Sequence, residues 1–185
     1  MVDAESRFGL GFVSGQAAGQ VVELPANAEI GQGAEAGVRI ADPSLAPRHA
    51  QIYYQDGMSF LGTFLDGAPI SPGQPVPLLT GSLVRFGEAG PVALFHALDA
   101  LQRDSGELIL ERSDSAARWT LSGPVTVGRS EACEVKLRPD DVLAADAHLH
   151  LLPAFGHLIA TDLGSANGTW SEAGRLVQAA IRPGQ

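Results

Sequence analysis

The chain has 185 residues, of which 12 are basic and 21 acidic, so its formal net charge at pH 7 is −9. This acidic balance argues against nucleic acid or an anionic membrane as the main partner. The 22 glycines and 12 prolines disfavour long helices and favour short strands joined by turns, because Gly costs helix entropy and Pro removes a hydrogen-bond donor.

The sequence also limits the cellular setting of the protein. Cys133 is the single cysteine, so a secreted framework held by internal disulfide bonds is excluded. The first residues of the chain are acidic where a signal peptide is basic, and no apolar segment typical of a signal peptide follows them. No stretch approaches the ~18 consecutive apolar residues that cross a membrane. We therefore expect a cytoplasmic protein without membrane contact.

Short apolar runs that end at charged residues, glycine or proline predict β-strands in both halves of the chain. In the first half, clear examples are Val76–Leu79, Ser82–Phe86 and Val92–Leu98. Residues 97–103 are the one helix candidate. In the second half, strands are predicted at 107–111, 124–127, 134–138, 148–152 and 157–161, with a hairpin-like break at 153–156. The predicted fold class is all-β, with sandwich architecture.

Short motifs recur in the same order in the two halves, which indicates an internal repeat. The pairs are Gly31 with Gly128, His49 with His148, Gly62-Thr63 with Gly168-Thr169, and residues 70–74 with 181–185. Their offsets are 97, 99, 106 and 111 residues, as expected if the loops of the second copy are longer. The repeat predicts one domain at 7–98, a short linker at 99–105 and a second domain at 106–185.

Three separated motifs of the second copy together resemble a forkhead-associated (FHA) domain. They are Gly128-Arg129-Ser130 after a strand, His148 before the next strands, and the loop Asp162–Thr169 that ends in Asn-Gly-Thr. The resemblance covers most of residues 107–181, whereas over residues 9–96 it rests largely on the repeat. It implies two tandem FHA-like β-sandwiches that bind partners without catalysis and without a cofactor.

The resemblance also implies which residues would form a site. Members of the family commonly bind phosphothreonine peptides through loops at one end of the sandwich. A phosphothreonine carries roughly two negative charges, which an arginine fork and hydroxyl groups can bind. The implied phosphopeptide-binding residues are Arg129, Ser130, Ser165 and Asn167. The implied structural brace of the loops consists of Gly128, His148, Gly168 and Thr169.

Both copies depart from the family pattern where the phosphate would bind. In the first copy Gln32 replaces the arginine, Ala46 the serine three residues before the histidine, and Leu61 the asparagine. In the second copy Ala145 replaces that serine, and Asp146 adds a negative charge beside it. Losing one hydrogen bond to a charged group costs about 1.5–3 kcal/mol. We therefore predict that the phosphate site is lost in the first domain and impaired in the second.

These departures favour a non-enzymatic scaffold that binds protein partners independently of phosphorylation. Degenerate FHA domains occur as structural parts of basal bodies in bacterial secretion systems, which fits this interpretation. The alternative is a phosphothreonine-dependent signalling adaptor that acts through Arg129 and Asn167. An enzyme is disfavoured, because the sequence contains neither a nucleophile-elbow motif nor a glycine-rich phosphate loop with a lysine.

The singled-out residues also have structural interpretations. Arg129 could instead pair with one of two nearby carboxylates, Glu131 or Glu134. Asn167 precedes a glycine and is an ordinary turn former. His148 and His150 lie two residues apart, which could place them in a zinc site with Asp146 or Asp162 and the nearby His157. Strand alternation explains that spacing without a metal, so we predict no metal site.

The second copy is predicted to lack its last two strands. In the repeat alignment Gln185 matches Gln74, whereas the first copy continues with further strand candidates. A sandwich without these strands has an unpaired edge that can capture another strand. We expect the missing strands to come from polypeptide beyond Gln185, from a partner that donates a strand, or from a second copy.

Overall fold

The computed structural model describes residues 7–55, 58–61, 64–71, 76–102, 107–113 and 115–184. Within these ranges the protein is all-β apart from one short helix, which confirms the predicted fold class. No helix in these ranges is long and apolar enough to span a membrane. The chain divides into two compact units, Met1–Arg103 and Asp104–Gln185.

The first unit consists of two β-sheets in the part that the structure describes. Its strands are β1 (Phe8–Phe12), β2 (Val21–Glu23), β3 (Asn27–Gly31), β4 (Val38–Arg39), β5 (Ala50–Gln55), β6 (Met58–Leu61), β7 (Phe64–Leu65), β8 (Ala68–Pro69), β9 (Val76–Leu78), β10 (Leu83–Arg85) and β11 (Val92–Ala97). One sheet has the order β2-β1-β11-β10-β7-β8, and the other has the order β4-β3-β5-β6-β9. Neighbouring strands are antiparallel except β3 and β4, which are parallel.

The core of the first unit lies between these two sheets. The six-stranded sheet contributes Leu10, Phe12, Val84, Ala93 and Phe95, and the five-stranded sheet contributes Ala28, Ile30, Val38, Ile52 and Leu78. Along β1 and β11 these residues recur with period two, as expected when one face of a strand is buried. Burying each large side chain stabilises the fold by roughly 1.5–3 kcal/mol. The first unit is therefore a β-sandwich.

A short helix, α1 (Leu98–Leu101), follows β11 in the region where the sequence predicts a helix. Its residues Leu98 and Leu101 are buried. The Leu98 N–H donates to the carbonyl of Arg7, next to β1. Residues 98–101, which the repeat places at the junction of the two domains, are thus packed as part of the first unit.

The second unit repeats the five-stranded sheet but not the six-stranded one. Its strands are β12 (Leu108–Glu111), β13 (Arg118–Leu121), β14 (Val125–Gly128), β15 (Val135–Lys136), β16 (Leu149–Ala154), β17 (His157–Asp162), β18 (Thr169–Ser171), β19 (Gly174–Leu176) and β20 (Gln178–Ile181). Five of them form a sheet of order β15-β14-β16-β17-β20, in which β14 and β15 are parallel. The others form two separate pairs, β12-β13 and β18-β19.

Local geometry explains two differences from the predicted strands. Strand β16 runs through Pro153, and the turn is made by Phe155 and Gly156, whose φ values of 51° and 71° suit a two-residue hairpin. The run at residues 134–138 is a strand only at Val135–Lys136, since β15 pairs only with the last two residues of β14.

The repeat match between residues 70–74 and 181–185 is wrong. Tyr54 lies five residues after His49 and pairs with Ser59, and Pro153 lies five residues after His148 and pairs with Leu158. Leu158 is therefore the counterpart of Ser59. Ser59 pairs with Leu78, whereas Leu158 pairs with Ile181, so Ile181 is the counterpart of Leu78. The shared sequence Ile-x-Pro-Gly-Gln consists mainly of residue types that are common in turns. It therefore does not establish equivalence where the strand pairing shows a different one. Strand β20 is therefore the counterpart of β9, and only β10 and β11 lack counterparts in the described residues.

Candidate functional site

Two loops of the second unit are joined backbone to backbone at the end of β14. The Arg129 N–H donates to the Ala145 carbonyl at 3.1 Å, and the Ser130 N–H donates to the Asp146 carbonyl at 3.0 Å. A Cβ at Gly128 would lie 2.1 Å from the Asp146 carbonyl oxygen, far inside contact distance. Glycine at position 128 therefore allows the close approach that brings Arg129 and Asp146 together.

The guanidinium of Arg129 is bound to the carboxylate of Asp146. Its Nη2 donates to Asp146 Oδ1 at 3.1 Å, and the exposed fractions of the two side chains are 30% and 80%. The structural alternative considered for Arg129, a pair with Glu131 or Glu134, names the wrong carboxylate. Glu131 pairs with Lys136, and Glu134 accepts a backbone N–H at 2.7 Å. The hydrogen bonds between the two loops bring Arg129 to a carboxylate 17 residues away, and not to the carboxylates nearest to it in sequence.

Ser130 and Cys133 support the same loop from within the second unit. The Ser130 hydroxyl oxygen accepts the Ala132 N–H at 3.2 Å, which closes a tight turn after Arg129. Cys133 is buried, and its thiol lies 3.2 Å from the Asp146 carbonyl oxygen. The Ser130 side chain thus already has a local hydrogen-bonding role.

Asp162 organises the loop between β17 and β18. Its carboxylate accepts two backbone N–H groups, from Gly164 at 2.9 Å and from Ser165 at 2.8 Å. It also accepts the hydroxyls of Ser165 at 2.7 Å and Thr169 at 2.6 Å. Ser165 is only 5% exposed, so its hydroxyl is directed into the loop. This role of Asp162 was not predicted from the sequence, which indicated it only as the first residue of the family-like loop and as a possible metal ligand, although Asp side chains often accept N–H groups two residues further on.

The hydrogen bonds to Asp162 make the second unit sensitive to acid. Burial alone raises the pKa of Asp162, but the hydroxyl and backbone donors of Thr169, Ser165 and Gly164 outweigh it and hold the pKa below its usual range. A carboxylate with a lowered pKa in the folded state contributes stability above its unfolded pKa of about 3.9, and that stability is lost as the pH falls through the folded pKa.

We expect Asp162→Asn to destabilise the second unit by roughly 2 kcal/mol at pH 7 and to have a smaller effect at pH 3. Both tryptophans of the chain, Trp119 and Trp170, lie in the second unit, so denaturant unfolding followed by tryptophan fluorescence reports on it alone. The matched control is Asp140→Asn, at an exposed carboxylate of a neighbouring loop. Equal losses at pH 7 and pH 3 would contradict the assigned role of the carboxylate charge.

His148 and Asn167 tie the loops of this end together. The His148 Nδ1 accepts the Ala145 N–H at 3.0 Å, and the His148 carbonyl accepts the Leu163 N–H at 3.0 Å. The Asn167 amide donates to the Leu143 carbonyl at 3.0 Å. The loops that contain Arg129, Asn167 and the segment before His148 therefore form one connected surface.

Exposed apolar side chains lie on these loops. Trp170 is 67% exposed and donates its indole N–H to the Asn167 carbonyl at 3.1 Å. Val142 and Leu143 are 82% and 66% exposed. Gly168 has φ 77°, a left-handed conformation that glycine adopts more readily than residues with a Cβ. Sequence analysis treated none of these apolar residues as functional, because exposure is not visible in a pattern of isolated apolar residues.

At the position equivalent to Arg129, the first unit has the neutral side chain of Gln32. The Gln32 side-chain amide donates to the Leu45 carbonyl at 2.5 Å, and the Gln32 N–H donates to the Ala46 carbonyl at 3.1 Å. His49 Nδ1 accepts the Ala46 N–H at 3.1 Å, and burial lowers the pKa of His49. The predicted third element, Gly62-Thr63 together with the Leu61 side chain, lies outside the described residues.

Metal binding finds no support in the described ranges. They contain no group of three or more His, Cys, Asp or Glu side chains placed to hold a metal ion. His148 Nε2 and Asp162 Oδ2 are 4.0 Å apart, which is too far for a hydrogen bond.

The FHA domain family matches part of the first unit. Residues 28–87 match the family model described as "FHA domain". This segment runs from the second residue of β3 to the end of β10 and includes Gly31 and His49. No curated protein matches the chain.

Solved FHA domains resemble about half of the chain. One from Arabidopsis thaliana is 20% identical with a TM-score of 0.46, and covers 50% of this chain and 86% of its own. The FHA domain of a Chlamydia trachomatis protein is 22% identical with a TM-score of 0.42, and the covered shares are 49% and 97%. Mycobacterium tuberculosis EmbR, solved with a low-affinity phosphopeptide, is 17% identical with a TM-score of 0.44, and the covered shares are 53% and 26%. These similarities are too low to assign a function.

Proposed function

We propose that the protein is a non-enzymatic protein-interaction scaffold built from two FHA-like units, one at residues 7–98 extended by the packed helix α1, and the other at residues 106–185. The family match over residues 28–87 supports this assignment for the first unit. For the second unit, the support is its five-stranded sheet, which has the same strand order and the same parallel pair as that of the first.

The bond between Arg129 and Asp146 carries the proposal that binding does not depend on phosphorylation. In the second unit the cationic group that could hold a phosphate is already paired with a carboxylate of the same chain. An incoming phosphate would have to displace Asp146 and then remain close to a second negative charge. The Asn167 amide is likewise bound to the Leu143 carbonyl, so two internal bonds oppose a phosphopeptide.

The first unit supports the same conclusion through a neutral side chain. Gln32 stands where the second unit has Arg129, and its amide is bound to the Leu45 carbonyl. A neutral amide supplies neither the charge nor the two-pronged geometry of a guanidinium for a phosphate. Contacts with a partner would then be made by uncharged surfaces, such as the exposed Val142, Leu143 and Trp170 of the second unit.

A phosphothreonine-dependent adaptor is the second candidate function. The Arg129–Asp146 pair favours it in one respect, because Asp146 is 80% exposed and exposed ion pairs contribute only about 0–1 kcal/mol. A phosphate with roughly two charges could displace such a carboxylate. The two functions therefore differ in whether the native Asp146 prevents phosphate binding.

Removing the Asp146 charge is expected to create phosphopeptide binding that the native protein lacks. We expect no phosphorylation-dependent binding tighter than about 1 mM for the native chain in titrations with a phosphothreonine peptide library and its unphosphorylated form. Asp146→Asn should tighten binding of the phosphorylated peptides by about tenfold or more, because Arg129 becomes free. Adding Arg129→Ala to that variant should abolish the gain.

The matched control for this titration is Asp140→Asn, which removes the same charge from an exposed position of the same loop. An equal gain in this variant would point to general electrostatics and not to the pair. Micromolar, phosphorylation-dependent and Arg129-dependent binding by the native chain would establish the adaptor and disprove the scaffold.

A further inference from the structure

The imidazole of His49 is held in one tautomer by the loop that precedes it. Its Nδ1 accepts the Ala46 N–H at 3.1 Å, so this nitrogen carries no proton. The proton of the neutral ring is therefore on Nε2, which is buried and has no hydrogen-bond partner among the described residues. A second proton would have to bind at the nitrogen that already accepts the backbone bond.

The surroundings of the His49 ring do not suit a positive charge. The ring lies against Phe86, with the two ring centroids 6.4 Å apart, and Phe86 is 0% exposed. On another side, a Cβ at Gly87 would lie 3.5 Å from His49 Cε1. A charged ring in this place would be removed from water without an acceptor for its Nε2 proton, which is unfavourable.

Charged groups near this ring do not offset such a charge. Those on the elements packed against it are Asp42 and Arg48 of its own loop, Glu29 of β3, and Arg85 and Glu88 at the turn between β10 and β11. Asp42 binds Ser44, and Arg48 binds Glu29. Within the described ranges none of these five side chains makes an ion pair with His49, and burial is the cause that lowers the pKa of His49.

His148 of the second unit makes the same backbone bond in different surroundings. Its Nδ1 accepts the Ala145 N–H at 3.0 Å, but its Nε2 lies 4.0 Å from Asp162 Oδ2. A charge on His148 would therefore face a carboxylate, whereas a charge on His49 would not. The two equivalent histidines should for this reason respond differently to acid.

The segment before His49 is also bound to the loop after β3. The Ala46 carbonyl accepts the Gln32 N–H at 3.1 Å, and the Pro47 carbonyl accepts the Gly33 N–H at 3.0 Å. If this segment moves away from the histidine, these two bonds break with it. The N–H groups of Gln32 and Gly33 therefore report whether the two loops are joined.

We propose that His49 is a pH-sensitive switch, which keeps the two loops of the first unit joined at neutral pH and releases them in mildly acidic solution. A proton bound at Nδ1 turns the acceptor of the Ala46 N–H into a donor that faces another donor, and it places a charge in an apolar site. The ring then moves into solvent, and residues 45–47 separate from the loop after β3. This switch does not depend on a partner or on phosphate.

The direction of the effect follows from the pKa of His49. In the closed loop burial holds this pKa below its usual value, whereas in the released loop it takes the ordinary value of about 6.5. The closed state is therefore most stable above pH 6.5 and is weakened as the pH falls below that value. If the closed state binds no proton at all, the released state gains at most about thirtyfold in population by pH 5.

The test measures amide hydrogen exchange of the 185-residue chain by NMR at pH 7 and pH 5, with each rate divided by the intrinsic rate at that pH. We expect the protection of the Gln32 and Gly33 amides to fall by about tenfold at pH 5. The Phe95 amide, which donates to the Ser82 carbonyl in the same unit, is the internal reference and should change by less than about twofold.

The second unit supplies a comparison within the same molecule. The Arg129 and Ser130 amides join its two loops as the Gln32 and Gly33 amides join those of the first unit. Their protection should fall by less than about threefold, because the Asp162 carboxylate faces a charged His148.

The matched control variant is His49→Asn. The asparagine oxygen can accept the Ala46 N–H in place of Nδ1, and the amide side chain binds no proton. The protection of the Gln32 and Gly33 amides should then agree at pH 7 and pH 5 to within about twofold. An acid effect through the carboxylates of the first unit would persist in this variant. Nitrogen NMR of the His49 ring in the native chain adds a measurement that needs no variant.

Three results would overturn the proposal. Unchanged protection of the Gln32 and Gly33 amides at pH 5 would mean that protonation does not release the loops. An equal loss of protection in His49→Asn would assign the acid effect to other groups. A proton on Nδ1 of His49 at pH 7, or a ring that titrates at about pH 6.5 or above, would mean that the loop does not hold His49 as an acceptor. The ring measurement decides the matter even if the variant does not fold.

Discussion

Gly128→Ala is expected to destabilise the second unit by about 3 kcal/mol or more. The added Cβ would lie 2.1 Å from the Asp146 carbonyl oxygen and 3.0 Å from the Ala147 Cα, so the contacts are with backbone and not with a side chain that can turn away. Relief requires the two loops to separate, which breaks the bond between the Ser130 N–H and the Asp146 carbonyl. Denaturant unfolding followed by tryptophan fluorescence measures the loss in this unit.

Gly123→Ala is the matched control for Gly128→Ala. A Cβ at Gly123 would meet no heavy atom within 4 Å, so we expect its effect to stay within about 0.5 kcal/mol. If the two variants lost similar stability, the close approach of the loops at Gly128 would not be what requires glycine there.

Sequence alone predicts the strand framework of both units well, because the signals involved are local. Short apolar runs bounded by charged residues, glycine or proline identified β14, β16 and β17, and the match of Gly31 with Gly128 located the end of the equivalent strands. At either glycine an added Cβ would lie 2.1 Å from a backbone carbonyl oxygen. A steric requirement of this kind fixes the residue type at a single position, so it can be recognised from the sequence.

The partner of Arg129 could not be predicted in the same way. Glu131 and Glu134 are nearest in sequence, but the loop hydrogen bonds from Arg129 and Ser130 bring Asp146 to the guanidinium. The sequence suggested that Asp146 would oppose a phosphate, but it did not indicate the ion pair with Arg129. Side-chain pairing between loops depends on tertiary contacts that no sequence spacing encodes.

The equivalence between the two copies was predicted wrongly near residues 181–185 for a related reason. Gly184 resembles Gly73 in the sequence Pro-Gly-Gln, but its strand context makes it the counterpart of Gly81. Turn residues recur because a few residue types satisfy most turns, so a match between turns carries little positional information. Strand pairing fixes position because a shift by one residue would expose the buried face.

Leu10→Ala is expected to destabilise the first unit by about 3–5 kcal/mol, whereas Leu110→Ala should destabilise the second by about 1–2 kcal/mol. The two residues hold equivalent places, because β12 pairs with β13 as β1 pairs with β2. Leu10, however, is 0% exposed between two sheets, whereas Leu110 is only partly buried. Truncating a fully enclosed side chain leaves a cavity, while truncating one at an open edge leaves a space that solvent or neighbours can fill. Hydrogen exchange read by mass spectrometry resolves the two units within one chain.

Leu79→Ala provides the surface control, because Leu79 is 69% exposed in the first unit and its truncation should change stability by no more than about 0.5 kcal/mol. Equal losses for Leu10→Ala and Leu110→Ala would mean that β12 is covered as completely as β1. The difference between the two truncations therefore measures how much less enclosed Leu110 is than Leu10.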